Sequence, residues 1–431
     1  MIVRARVVVT MDGPPIENGA VAVAANRIID VGKFDEVKAR YRKSIDDSPP
    51  DSSPSRASRL RRPAPAGSVV DLGEQALLPG LINAHCHLDY TCLRRKIPPK
   101  KSFTDWIRAI NAEKAKLSEQ DYLASIADGF AEAKRFGTTT IANLTAFPEL
   151  IPQVNPPIRT WWFAELIDVR DPNRTSELVD LAIGAMKRAR DSGGGIGLAP
   201  HAQFTASANL YRRCEEIAQS ENILLTTHLA EAREEMSMFQ DASGPLYEFL
   251  KSIGRDMSDC GHETPFARFA KIAGARAGRA LPTEWIVAHL NELAESDFEL
   301  LVKFTRKFHV VHSPRSHDYF AHSRFPFERL RSLGFNICLG TDSLASNADL
   351  SLFAEMRALQ RSEPALSPKE VLEMVTRNAA LALGKSQLLG RIRANCFADL
   401  IAIPCNGAAD VFEKILAFDR PVDWMMVAGK T

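Results

Sequence analysis

An alternation constrains this chain more than any other feature. Between residue 80 and about residue 385, short apolar runs of strand character recur, separated by longer stretches of helical periodicity. The runs are LINAHCH (81–87), TTTIANL (138–144), RTWWFAELI (159–167), GGIGLAPHA (194–202), ILLTTHLA (223–230), EWIVAHL (284–290), FHVVHSP (308–314) and NICLGTDS (336–343). Helical stretches such as SEQDYLASIADGFAEAKRFG (118–137) and TSELVDLAIGAMKRARDSG (175–193) lie between them. Strands alternating with helices predict an α/β protein with a parallel sheet, and eight of them predict a (β/α)8 TIM barrel. An open doubly wound sheet gives a similar pattern, but it calls for a glycine-rich nucleotide loop after an early strand. None is present: DSGGGIGLAP (191–200) runs into a strand and reads as a turn.

The flanks differ. Residues 1–79 hold short β-rich pieces, VRARVVVT and GAVAVAANRIIDVG, and β character returns in residues 386–431. The expected organisation is therefore a barrel over residues 80–385 and a small sheet domain built from both chain ends. Residues 46–67, DDSPPDSSPSRASRLRRPAPAG, carry almost no large apolar side chains. Such a segment cannot bury enough surface to order itself and is expected to be a disordered surface insertion. Deleting residues 48–64 is expected to leave activity intact, checked by steady-state rates of the shortened chain; a large loss would make the insertion more than a passive loop.

The formal net charge is +1 over 431 residues, which gives no reason to expect a nucleic-acid or anionic-membrane partner. No uncharged apolar run is long enough to span a bilayer. The seven cysteines are scattered and form no CxxC, which argues against a disulfide framework and for a reducing compartment. The N-terminus reads as strands with a turn at Asp12-Gly13, not as a signal peptide. The expectation is a cytoplasmic protein acting on a small molecule.

Polar residues at the C-terminal ends of barrel strands line the active site of such folds. Here these residues are His85 and His87, Glu165, His201, His228, His289, His312 and Asp342. In His85-Cys86-His87 the strand period turns both imidazoles to one face. With His228 and Asp342 they make a set of three histidines and one carboxylate, which suits a borderline divalent ion such as Zn²⁺ or Fe²⁺. The plain alternative for any one of them is a hydrogen-bonded core histidine. Glu231 follows His228 by three residues, where a turn brings it over a metal-bound water as general acid or base. Spacing alone serves equally well for an ordinary glutamate on a helix surface. Asp342 both ligates and accepts a proton in this reading, and His289 hydrogen-bonds the nucleophile or polarises the leaving group.

These pieces together resemble the amidohydrolase superfamily, in the branch of cytosine, guanine and S-adenosylhomocysteine deaminases and triazine hydrolases. The similarity rests on LLPGLINAHCHLD, GTTTIAN, APHAQFT, HLAE, AHL and GTDSLASN, with FADLIAI near the C-terminus, in family order along nearly the whole chain. The resemblance implies a (β/α)8 barrel with a small β-sandwich and a single metal ion, zinc with iron as the alternative. By motif, it implies His85, His87, His228 and Asp342 as ligands, Glu231 as proton shuttle and His289 as its assistant. His201, in APHAQFT, would contact substrate, and Glu165, from its place at a strand end, is a further candidate to bind it. No lysine stands where dinuclear members carry a carboxylated bridge. A homodimer is common for such barrels.

SFTDWI (102–107), HSPRSHDYF (312–320) and GTDSLASNADLSLFAEMRAL look like the aminodeoxyfutalosine deaminases of the futalosine route to menaquinone. Arg315 would then pair with a substrate carboxylate, or else bond a carboxylate at the barrel rim. Trp106 and Phe103 would stack on a purine, or simply pack under a loop. The leading expectation is a metal-dependent hydrolytic deaminase of an aminopurine nucleoside-like substrate or related N-heterocycle, releasing ammonia. A cyclic-amide or triazine-type hydrolase on the same site, and an inactive scaffold on the same fold, are the alternatives.

Overall fold

A computed structural model describes residues 1–41, 68–188, 193–273, 284–303 and 307–431. The 46–67 insertion and the 48–64 deletion fall outside the described residues. In chain order the strands are β1 (Ile2–Val8), β2 (Ile16–Ala24), β3 (Arg27–Lys33), β4 (Val69–Asp71), β5 (Gln75–Pro79), β6 (Leu81–His87), β7 (Thr138–Thr145), β8 (Arg159–Leu166), β9 (Gly195–Pro200), β10 (Leu224–Leu229), β11 (Trp285–His289), β12 (His309–His312), β13 (Asn336–Leu339), β14 (Asp342–Ser343), β15 (Leu400–Pro404) and β16 (Trp424–Met426).

The chain divides into two compact units. One comprises Met1–Ile82, Arg135–Thr139 and Pro364–Thr431; the other comprises Asn83–Lys134 and Thr140–Glu363. The first unit carries a seven-stranded sheet in the order β16-β15-β5-β1-β2-β3, with β4 also paired to β1. Both chain ends contribute, through β1 to β5 and β15 to β16. The two-residue period sorts its faces: Val3, Val21 and Val23 enter one core cluster with Leu400 and Met426, while Ile2, Ala20 and Ala22 pack with Val37 of the helix Phe34–Arg40.

The second sheet runs β13-β12-β11-β10-β9-β8-β7-β6-β14. Its strands pair in parallel; seven of the eight apolar runs supply one strand each and the last supplies β13 and β14. The last run is interrupted: β13 pairs with β12, two residues intervene, and β14 pairs with β6. Those two residues are the seam. Gly340 donates its N–H to His312 O at 3.0 Å, and Thr341 donates its N–H to His85 O at 3.1 Å. The Asn83 amide closes the seam from the side, donating to Thr341 Oγ1 at 2.8 Å. The ring is therefore closed, as a barrel. Every residue of β6, β7 and β8 is buried, which is why these strands read as continuous apolar runs rather than alternating ones.

The seam requires glycine at 340. A Cβ there would lie 2.6 Å from His85 O and 2.9 Å from His85 Cβ. Helices pack through one face: in Glu119–Arg135 the buried positions Tyr122, Ile126, Gly129, Phe130 and Ala133 recur at helical spacing. The helix Phe103–Lys114 starts at Ser102, whose side chain accepts from the Asp105 N–H. Among the described residues no helix is long and apolar enough to cross a membrane.

Candidate active site

The barrel gathers the strand-end residues into one buried cluster. His85 and His87 leave β6 on the same face, and their rings lie 5.1 Å apart; the His85 and His228 rings lie 5.0 Å apart. Hydrogen bonds fix how His228 is protonated. Its Nδ1 lies 2.9 Å from the His201 carbonyl, which only accepts, so Nδ1 carries the proton and Nε2 a bare lone pair. That Nε2 stands 3.2 Å from His87 Nε2. His87 turns its other nitrogen, Nδ1, toward Glu165 Oε1 at 3.6 Å. With that orientation His87 Nε2 faces the same point. Both nitrogens of His85 are buried without a hydrogen-bond partner.

Burial, reinforced by the neighbouring imidazoles, holds His87 well below its ordinary range and lowers His228 to about 4. A cation placed between these two nitrogens, 3.2 Å apart, would take up a lone pair from each. Asp342 completes the set: its Oδ1 is 3.8 Å from both His85 Nε2 and His87 Nε2. Its Oδ2 is occupied, accepting from Ser316 Oγ at 2.6 Å and Ser346 Oγ at 3.2 Å. Burial works to raise the Asp342 carboxyl, but the imidazoles around it, His85 first, outweigh it and hold the group well below the ordinary range. Three imidazole nitrogens and one carboxylate oxygen are a donor set a divalent ion takes. The residues fit such an ion.

Backbone strain helps to aim these groups. Asp342 has φ 54°, His289 φ 78° and Leu290 φ 57°, and Ala230, just before Glu231, has φ 50°. Left-handed conformations at non-glycine residues cost on the order of 1 kcal/mol each and persist where surrounding bonds over-determine them. Here Leu290 N–H bonds Leu229 O at 2.9 Å, and Glu292 N–H bonds Ala230 O at 2.9 Å, so each turn holds the other.

Glu231 stands apart from the nitrogen cage. Its N–H donates to Glu235 Oε2 at 2.7 Å and its carbonyl accepts from Asn291 Nδ2 at 3.0 Å. The side chain lies between two imidazoles, with Oε2 3.7 Å from His289 Nε2 and Oε1 4.0 Å from His322 Nε2. Burial, and then Asp342 and Glu235, raise its carboxyl well above the ordinary range. The residue is not on an exposed helix face: it is 7% exposed and precedes the helix Arg233–Asp241. His289 stacks on His228, with ring centroids 5.3 Å apart.

The remaining predicted residues fall in different places. Glu165 is buried, its carboxyl pushed up to about 7, mainly by burial. Its Oε1 faces His201 Nε2 at 3.9 Å, while His201 Nδ1 is 2.6 Å from Thr205 Oγ1. Arg315 bonds the rim carboxylate of Asp349, at 2.6 and 3.4 Å, and its N–H donates to Glu355 Oε2 at 3.0 Å. Trp106 and Phe103 pack against Phe320, at centroid distances of 4.9 and 5.5 Å. His312, also at a strand end, stacks on Phe325 at 4.1 Å instead of joining the cluster. The sequence reading missed Ser316, Ser346, Asn291 and His322. Ser316 lay inside the PRSH stretch already singled out for Arg315, and Ser346 inside GTDSLASN.

Residues 76–431 match the sequence profile of the amidohydrolase family. The chain belongs to that family. Among curated relatives, this amidohydrolase is 28% identical over 411 residues to a 5-methylthioadenosine/S-adenosylhomocysteine deaminase of Syntrophobacter fumaroxidans, covering 91% of this chain and 81% of the relative. It is 25% identical over 354 residues to a 5′-deoxyadenosine deaminase of Methanosphaera stadtmanae, covering 79% and 76%. Among solved structures, the amidohydrolase superposes on Helicobacter pylori aminofutalosine deaminase in complex with methylthio-coformycin with a TM-score of 0.82 and 19% identity, over 100% of this chain and 99% of that one. An adenosine deaminase of Xanthomonas campestris with bound zinc gives a TM-score of 0.76 and 23% identity, over 100% and 92%. These likenesses carry the fold: the barrel and the sheet from both termini are shared.

Proposed function

We propose that this amidohydrolase is a metal-dependent hydrolytic deaminase of an aminopurine nucleoside, exchanging the ring amine for oxygen and releasing ammonia. One observation carries the reading: a buried carboxyl, Glu231, stands beside the three-imidazole, one-carboxylate cage without belonging to it, where burial favours its protonated form. An aromatic amine departs only after water has added to its carbon. That addition is uphill unless the adjacent ring nitrogen gains a proton, so a protonated carboxyl next to the water site is what the reaction asks for. The relatives named above are deaminases of adenine nucleosides, which favours an adenine-type ring.

His85, His87, His228 and Asp342 Oδ1 would hold one divalent ion, which we take to be zinc, although iron uses the same ligands. When bound, such an ion supplies Lewis acidity and lowers the pKa of water toward neutrality. Asp342 would take the proton of the attacking water, with its Oδ2 held by Ser316 and Ser346. Glu231 would give its proton to the ring nitrogen beside the carbon under attack. His289, 3.7 Å from Glu231, would steady the incoming oxygen. Collapse passes the Asp342 proton to the departing amine and returns the hydroxyl proton to Glu231, so the protons balance. Glu165 and His201 Nε2 lie beside His228 and would meet the substrate. The seven free cysteines favour a reducing, cytoplasmic setting.

Two outcomes test this. The zinc-loaded protein should release ammonia from one of 5′-methylthioadenosine, S-adenosylhomocysteine, adenosine or aminodeoxyfutalosine, with the ultraviolet shift from adenine to hypoxanthine. Consumption of a ring amide or a halogenated triazine, with no ammonia from any amine, would move the reading to the hydrolase alternative. Gly340→Ala should lower kcat/KM about a hundredfold, because its methyl displaces His85 and about 1 Å of misplacement is enough. Unchanged kcat/KM in that variant would show that the seam does not position His85.

A further inference from the structure

Glu231 has two imidazole neighbours, and only one of them, His289, takes part in the steps above. His289 Nε2 stands 3.7 Å from Glu231 Oε2 and is committed to the incoming oxygen. His322 Nε2 stands 4.0 Å from Glu231 Oε1. The His322 side chain is 6% exposed, and among the described residues its Nε2 has no hydrogen-bond partner. An unpaired buried nitrogen is costly, so its place beside this carboxyl calls for a use.

Several contacts aim the ring. The backbone reverses at Ala321, φ 51°, just before it. His322 N–H donates to His317 O at 3.3 Å, and the next N–H, of Ser323, donates to Glu292 Oε1 at 3.2 Å. The apolar rings of Phe103 and Phe320 flank the imidazole, with centroids 6.2 and 5.1 Å away. Asn291 ties the same loop to Glu231: its Nδ2 donates to the Glu231 carbonyl at 3.0 Å, so its Oδ1 accepts from His317 Nδ1 at 3.2 Å. Burial, and then His317, lower His322 to about 3, so the ring is neutral and carries a single ring N–H.

Once Glu231 has given its proton away it is a carboxylate inside the barrel, close to Asp342 and Glu235. A buried carboxylate needs donors at its oxygens. The backbone groups of Glu231 are already spent on Glu235 and Asn291, and His289 faces Oε2. At Oε1 the group in place is His322 Nε2, and a shift of about 1 Å brings it to hydrogen-bond length. We infer that His322 is a positioning residue for the proton transfer: its Nε2–H closes on Glu231 Oε1 as that carboxyl gives its proton to the ring nitrogen, and holds the carboxylate until the proton returns. The inference rests on the deaminase reading above.

Two measurements on the zinc-loaded full chain test it. With ¹⁵N-labelled histidine, the long-range ¹H–¹⁵N spectrum shows which nitrogen of each neutral ring holds the proton, and the His322 signals are those that vanish in His322→Gln. A proton on Nε2 is expected; a proton on Nδ1 would overturn the inference whatever the rates. Ammonia release from the nucleoside turned over fastest is then followed in two variants. His322→Leu fills the space without a donor, and its kcat should fall about tenfold to a hundredfold, with KM within about threefold of wild type and zinc content unchanged. His322→Gln places an amide N–H near the position of Nε2 and should recover most of that loss. A His322→Leu kcat close to wild type, or an equal fall in both variants, would overturn the inference, the second because it would mean that the ring only packs. The deaminase reading fails separately: wild type would release no ammonia from any nucleoside, and a proton on Nε2 in that protein would keep the donor beside Glu231 while removing the reaction.

Discussion

Glu231→Gln is expected to keep a full complement of metal and to lose turnover by about 10³-fold, within the range that a positioned proton donor contributes. The two halves of this expectation have separate causes. The metal stays because Glu231 is outside the donor set: its oxygens face His289 and His322 at 3.7 and 4.0 Å, not the convergent nitrogens of His87 and His228. The fold stays because Gln matches Glu in size, and the backbone anchors from Glu235 and Asn291 do not involve the changed atoms. Turnover falls because an amide has no acidic proton at neutral pH. Metal analysis and ammonia release on one preparation check both halves, and a near-normal rate would remove Glu231 from the mechanism.

His228→Ala is expected to lose both metal and turnover, the latter by more than about 10³-fold, since the Lewis acid is worth several kcal/mol. His228 would be a ligand whose orientation is fixed, by its Nδ1–H bond to the His201 carbonyl. Its removal also takes away the ring on which His289 stacks. Metal content after dialysis, measured beside wild type, checks this. A variant that retained stoichiometric metal would show that the ion sits elsewhere.

Much of this arrangement was legible in the sequence, for an identifiable reason. Parallel strands buried on both faces have to be apolar throughout, so a histidine or aspartate at their ends stands out. His85, His87, His228, His289 and Asp342 did so, and the barrel brings them together. What lay beyond the strands was less legible. Nothing in the spacing of Ser316 or Ser346 says that both hydroxyls converge on Asp342 Oδ2, because that depends on two separate loops and on the left-handed backbone at 342. His322 sits after a short helix, Pro314–Phe320, and reaches Glu231 only because the chain reverses at Ala321, φ 51°. Arg315 was read with two possible partners, and the barrel rim supplied one of them, Asp349. His312 shows the opposite limit: it ends a strand as the others do, but Phe325 takes its ring.

The central claim is that water, with its proton received by Asp342, replaces the ring amine. Turnover in ¹⁸O-enriched water tests that most directly, with the product base and the ammonia counted together by mass spectrometry. The account predicts one heavy oxygen in the base for each ammonia released, from the zinc-loaded enzyme and not from His228→Ala. Ammonia without heavy oxygen in the base, or a product that gains oxygen while keeping its amine, would contradict it.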